Sequence, residues 1–92
     1  MNKCLKIIFS VPIKKNFLQI VIQKLAQDYR IEGSAQIIEQ NKVKVLACGA
    51  KDNVESFLDA LHKEAVKHEM HDIEIEPFLK EKDYRGVFRI IE

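Results

Sequence analysis

IEGSAQIIEQNKVKVLACG, residues 31–49, is the stretch that decides how this chain folds. Ile31 to Gln40, with the β-branched pair Ile37 and Ile38, has the character of a strand. A turn near Asn41 and Lys42 follows, and then a third strand in which Val43, Val45 and Ala47 alternate with Lys44, Leu46 and Cys48. Gly49 closes it. Two extended segments joined by so short a turn pair antiparallel, because a parallel pairing needs a crossover of a dozen or more residues.

Helical patterns flank this hairpin. Upstream, Leu18, Val21, Ile22, Leu25 and Tyr29 recur at spacings of three and four, one apolar stripe of an amphipathic helix, with Asn16 as the expected N-cap and Gln19 completing a capping box. Downstream, Asp52 and Glu55 form the same signature ahead of the stripe Val54, Phe57, Leu58, Leu61 and Ala65. Lys63, Lys67 and His68 gather near the end of that helix, where positive charge suits the dipole. Leu5, Ile7 and Phe9 alternate in an opening strand that Pro12 terminates, and Ile73 and Ile75 alternate with Asp72, Glu74 and Glu76 in a fourth. Pro77 to Arg85 reads as a loop, and Gly86 to Ile91 as a short last strand. The order is β-α-β-β-α-β plus one strand: an α+β, ferredoxin-like split βαβ sandwich, with two helices on one face of an antiparallel sheet.

Composition is consistent with one domain over residues 1–92. Hydrophobic residues make up 47% and charged residues 32%, as in ordinary globular chains, and 15 Lys plus Arg against 14 Asp plus Glu leave +1. So balanced a charge supplies no field to attract nucleic acid or an anionic membrane, so neither is expected as a partner. Ile7 to Ile13 is uncharged but too short for a membrane span, and Pro12 interrupts it as a signal peptide. Cys4 and Cys48, in a chain with no export signal, are expected to be reduced thiols in the cytoplasm.

The element order and several strings resemble the acylphosphatases. The opening strand ending in Ser10, the Leu25-Ala26 pair, Gly33, and Val43-Lys44-Val45 followed by Gly49 carry the likeness. So does Tyr84-Arg85-Gly86-Val87-Phe88-Arg89-Ile90, similar to the family's terminal Tyr-x-Gly-Phe-x-Ile with one residue inserted. The resemblance implies hydrolysis of acyl phosphates by a first loop Gly-x-Val-Gln-Gly-Val-Gly-Phe-Arg, whose backbone N–H groups and Arg hold a phosphate, and by an Asn that orients water. Here the loop reads Ser10-Val11-Pro12-Ile13-Lys14-Lys15-Asn16-Phe17-Leu18. Phe17 matches, the glycines do not, and the Arg falls on Leu18, or on Gln19 if the alignment slips by one. The Asn falls on Ile37 or Ile38.

The expected function is therefore a degenerate acylphosphatase-like domain, without catalytic residues, acting as a small binding or interaction module. The alternative is an active hydrolase of carboxyl-phosphate anhydrides in which Lys14, Lys15 or Arg89 replaces the missing cation. Lys14, Lys15 and Asn16 form a candidate loop for a phosphate-type anion, although adjacent lysines also suit a solvated loop. His62, His68 and His71, with Met70 nearby, invite a metal reading, but no carboxylate or thiolate at ligand-like spacing completes a set, and no metal or other cofactor is expected. An RNA-recognition domain shares the topology, yet it needs stacking aromatics on its first and third strands, and Lys42 to Gly49 has none.

Strand parity yields two further expectations. Ile8 and Leu46 fall on the open face of the sheet, which marks that face, ahead of the loop, as the surface for a protein partner or self-association. Cys4 and Cys48 fall on the same face of neighbouring antiparallel strands, opposite one another or one diagonal step apart.

Overall fold

A computed structural model describes residues 2–79 and 84–91. Among the described residues, five strands form one sheet: β1 Asn2–Ser10, β2 Glu32–Glu39, β3 Lys42–Ala50, β4 His71–Pro77 and β5 Phe88–Ile91, in the spatial order β4-β1-β3-β2-β5. β1 pairs antiparallel with both β3 and β4, β2 pairs antiparallel with β3, and β5 lies parallel to β2. A π-helical stretch, Leu18–Gln23, runs into helix α1, Lys24–Asp28, and helix α2 covers Lys51–His68. Part of the expected loop between β4 and β5, residues 80–83, lies outside the described residues.

Parity organises the core as the alternation requires. Leu5, Ile7 and Phe9 of β1 and Val43, Val45 and Ala47 of β3 are buried together with Val54, Phe57, Leu61 and Ala65 of α2 and with Leu18, Ile22 and Ala26 of the first helical segment. Ile7, Phe9, Val43, Val45 and Phe57 have no exposed surface at all. Each such side chain withdrawn from water stabilises the fold by about 1.5–3 kcal/mol. On the open face, Ile8 and Leu46 are half-buried beside Lys6 and Lys44, and Lys6 pairs with Glu76 of β4.

Three local expectations are corrected. Asn16 does not cap the first helix: it takes a left-handed φ of 62°, inside a tight turn in which the Phe17 N–H donates to the Lys14 carbonyl at 3.0 Å. That third turn position requires positive φ, which Asn tolerates better than most residues, and no side chain caps the helix that follows. That helix opens with π-type hydrogen bonding over Leu18–Gln23 instead of a continuous α-helix. Asp52 does not cap α2 either, because β3 feeds directly into the helix through Ala50 and Lys51 is already helical. Asp52 instead sits in the first turn, where its charge complements the helix dipole.

The cysteines supply the fourth correction. Cys4 and Cys48 are directly opposed in the β1–β3 register, as parity requires, but they are joined in a disulfide with Cα atoms 4.2 Å apart. The Cys4 carbonyl accepts from Phe78 N–H on the β4 side, so relative to β3 this is a non-hydrogen-bonded pair, the kind in which facing side chains lie closest. An argument for the compartment that rests on two reduced thiols therefore loses its premise. Under non-reducing conditions, alkylation should label neither cysteine, and it should label both after reduction. For a sequence separation of 44 residues the chain-entropy relation gives a stability loss of about 4 kcal/mol on reduction, readable as a lowered urea midpoint.

Gly33 is required where β2 passes β3. Its φ is +139°, and a Cβ there would overlap the backbone carbonyl oxygen of Leu46. Gly86, at φ +70°, has no atom of the described residues within 4 Å of such a Cβ. Gly33→Ala should therefore cost about 2–4 kcal/mol in urea unfolding, while Gly86→Ala should cost only about 1–2 kcal/mol, the left-handed backbone penalty alone.

Candidate functional site

The sheet order brings three strand ends together. Ser10, the last residue of β1, lies opposite Lys42, which also pairs with Glu39 near the end of β2. Because β5 runs parallel to β2, with Ile90 opposite Ala35 and Ile91 opposite Gln36, it ends on the same side. The segment joining β1 to the first helical stretch crosses this edge. Asn41 fastens it: its backbone carbonyl accepts from Val11 N–H at 2.8 Å and its Oδ1 from Ile13 N–H at 3.4 Å. Gln23 ties the helix to β5 by donating from Nε2 to the Phe88 carbonyl at 3.3 Å.

Between loop and strand ends lies a groove of about 490 Å³, within the range of small-molecule sites. Ile13, Phe17, Leu18, Ile37, Ile90 and Ile91 give it apolar walls, and Lys14, Lys15, Asn16 and Gln19 complete the lining. The loop candidates Lys14, Lys15 and Asn16 are thus brought together with Leu18 and Ile37, two of the positions onto which the sequence resemblance carries the family's Arg and Asn. Phe17 and Leu18 are each 5% exposed, whereas Ile37 is 49% exposed. Both lysines are exposed, and neither has a carboxylate partner among the described residues. Arg89 is exposed and lies opposite Ser34, outside the groove lining. Of the alternative positions, Ile37 lines the groove and Ile38 does not, while Leu18 and Gln19 both do.

Sequence reasoning missed Ile13, Ile90 and Ile91. The one signal available was topological, since a terminal strand placed beside β2 ends next to Ile37. Of the histidines, His68 is half-buried, with Nε2 3.2 Å from Glu64 and its ring edge-on to Phe17 at 5.6 Å. Phe17 is in turn one of the groove walls. Among the described residues no three His, Cys, Asp or Glu side chains group as metal ligands.

The acylphosphatase family model matches residues 15–90, most of the chain, and this protein belongs to that family. The match begins inside the loop from which the family glycines are missing. Similar solved structures include an acylphosphatase from Coxiella burnetii, with TM-score 0.80 and 18% identity over 98% of this chain and 93% of that one. Another is acylphosphatase from Bacillus subtilis, with TM-score 0.77 and 21% identity over the full length of both chains. HypF from T. kodakarensis aligns with TM-score 0.76 and 13% identity over all of this chain but 12% of its own. At these identities the likeness speaks for the fold alone. No match was found among curated proteins.

Returning the family cation to its matching position should damage the scaffold. Leu18 packs into the core, so Leu18→Arg either buries a guanidinium or pulls the side chain out and leaves a void. A loss of about 2–4 kcal/mol is expected, against under about 1 kcal/mol for Ile37→Asn at its half-exposed position, measured as urea midpoints of the two variants.

Proposed function

We propose that this chain is an acylphosphatase-family domain without efficient acyl-phosphate hydrolysis, a small binding module that takes a phosphate-type anion at the mouth of the groove. The observation that carries the reading is the pair of apolar residues, Leu18 and Ile37, in the groove at the positions matching the family's Arg and Asn. Acyl-phosphate hydrolysis depends on positive charge and aligned donors around the phosphoryl oxygens and on a positioned water, with little covalent chemistry for the protein to perform. An aliphatic side chain supplies neither. Losing one preorganised donor costs about 10²–10³ in rate, and here two groups and the loop glycines differ together.

Lys14 and Lys15 provide charge at the groove edge, and that observation favours the second reading, a hydrolase with a relocated cation. A flexible ammonium, however, does not reproduce the planar, bidentate fork of an Arg. The open sheet face supports a partner surface less well than the groove. Its depression beside Lys6, Ile8, Glu74, Ile75 and Glu76 is about 210 Å³, and Lys6 is already paired there with Glu76. Among the described residues no helix is long and apolar enough to cross a membrane. A cytoplasmic location belongs to the same proposal but has no reduced thiols to support it, because Cys4 and Cys48 are joined.

The test is turnover of an aromatic acyl phosphate by the purified protein beside a catalytically intact family member. A deficit of at least roughly 10³ is expected. Comparable rates, lost in Lys14→Ala or Lys15→Ala, would replace the binding module with the relocated-cation hydrolase.

A further inference from the structure

We infer that the groove binds an organic anion through its apolar body: a carboxylate or phosphate monoester whose alkyl or aryl tail lies along Leu18, Ile37 and Ile90, with its head at Lys14 and Lys15. This rests on reading the groove as a binding site and names the class of ligand. The distribution of chemistry within the lining carries it. Charge is confined to one edge, on two exposed side chains with no carboxylate partner among the described residues, so an incoming anion displaces no existing ion pair.

The remaining walls come from four different parts of the chain. Ile13 belongs to the loop, Phe17 and Leu18 to the start of the helical segment, Ile37 to β2, and Ile90 and Ile91 to β5. Ile37, which shares the core-side face of β2 with Ala35, is 49% exposed, and Ile90 is only half-buried, which leaves apolar surface for a ligand to cover. A bare phosphate would satisfy the lysines and leave that surface wet. A neutral hydrocarbon would cover it and leave the lysines unanswered. An anionic head on an apolar tail does both, and the lysines, as mobile point charges, do not demand the planar geometry that an Arg would impose on the head.

Tail length should therefore control affinity. A fully buried methylene contributes about 0.8 kcal/mol, close to fourfold in Kd, and partial cover in an open groove lowers that to about 2- to 4-fold. Calorimetric or NMR titration with butanoate, hexanoate and octanoate should show affinity rising by that factor per methylene. Octyl phosphate should follow octanoate, while octanol, octyltrimethylammonium and inorganic phosphate should bind much more weakly. Lys14→Ala/Lys15→Ala should weaken octanoate by roughly 2- to 10-fold and leave octanol unchanged, consistent with exposed charge pairs. Ile37→Gln should flatten the chain-length series, whereas Ile20→Gln, 63% exposed and outside this groove, should not.

Affinity that follows a phosphate group whatever its tail would overturn the inference in favour of a plain phosphate site. Equal binding of the alcohol and the ammonium would reduce the groove to a non-selective apolar patch, and no saturable binding would remove the inference altogether. Acyl-phosphate turnover separates these failures from that of the underlying reading. A chain that hydrolyses at family rates contradicts the binding-module reading whatever the alkyl series shows, one that does not hydrolyse and binds inorganic phosphate but no better for an alkyl tail contradicts the inference alone, and one that binds no anion contradicts both.

Discussion

Strand β1 is hydrogen-bonded on both edges, to β3 across nine residue pairs and to β4 on the other side, and the rest of the molecule depends on that pairing. Its register leaves no freedom of face. With Ile7 opposite Val45 and Phe9 opposite Val43, a slip by one residue would turn every core side chain of the strand to solvent and bring Lys6 and Ile8 under the helices. The same register sets Cys4 against Cys48 and Ser10 beside the β2–β3 turn. Core, disulfide and loop anchorage are consequences of a single alignment.

The groove inherits its position from the scaffold and its chemistry from separate residues. Strand ends, the Asn41 contacts to Val11 and Ile13, and the left-handed turn at Asn16 hold the loop in place without the glycines of the family motif. None of these contacts involves the side chains of Leu18 or Ile37. A fold maintained by backbone pairing and core packing can thus keep the shape of a site while the groups that face its contents change, which is how one fold hosts different functions.

Element order, strand parity, the pairing of β1 with β3 and the buried stripe of α2 were legible because each follows from a periodicity of two or of 3.6 that burial enforces. What escaped was local or non-local in ways periodicity does not encode. Asn16 and Asp52 both have the residue type of a cap, but whether either serves as one depends on where the neighbouring backbone has already become helical or turned. The state of Cys4 and Cys48 depends on proximity across strands and on redox surroundings, and only the proximity follows from parity. For the site, Leu18 and Ile37 were found through family likeness, and the loop lysines through their place before a helix. Ile13, Ile90 and Ile91 carry no motif, and they line the groove only because three chain segments end at one edge of the sheet.

The proposed reading is that the family scaffold here surrounds a groove whose floor recognises apolar surface and does not position a phosphoryl group for attack. Methyl NMR of the isoleucines and leucines reads that floor directly. Titration with octanoate is predicted to shift the Leu18, Ile37 and Ile90 methyl signals saturably, whereas inorganic phosphate at the same concentrations leaves them in place. Saturable shifts of the Leu18 and Ile37 methyls by inorganic phosphate, with no response to octanoate, would contradict the account.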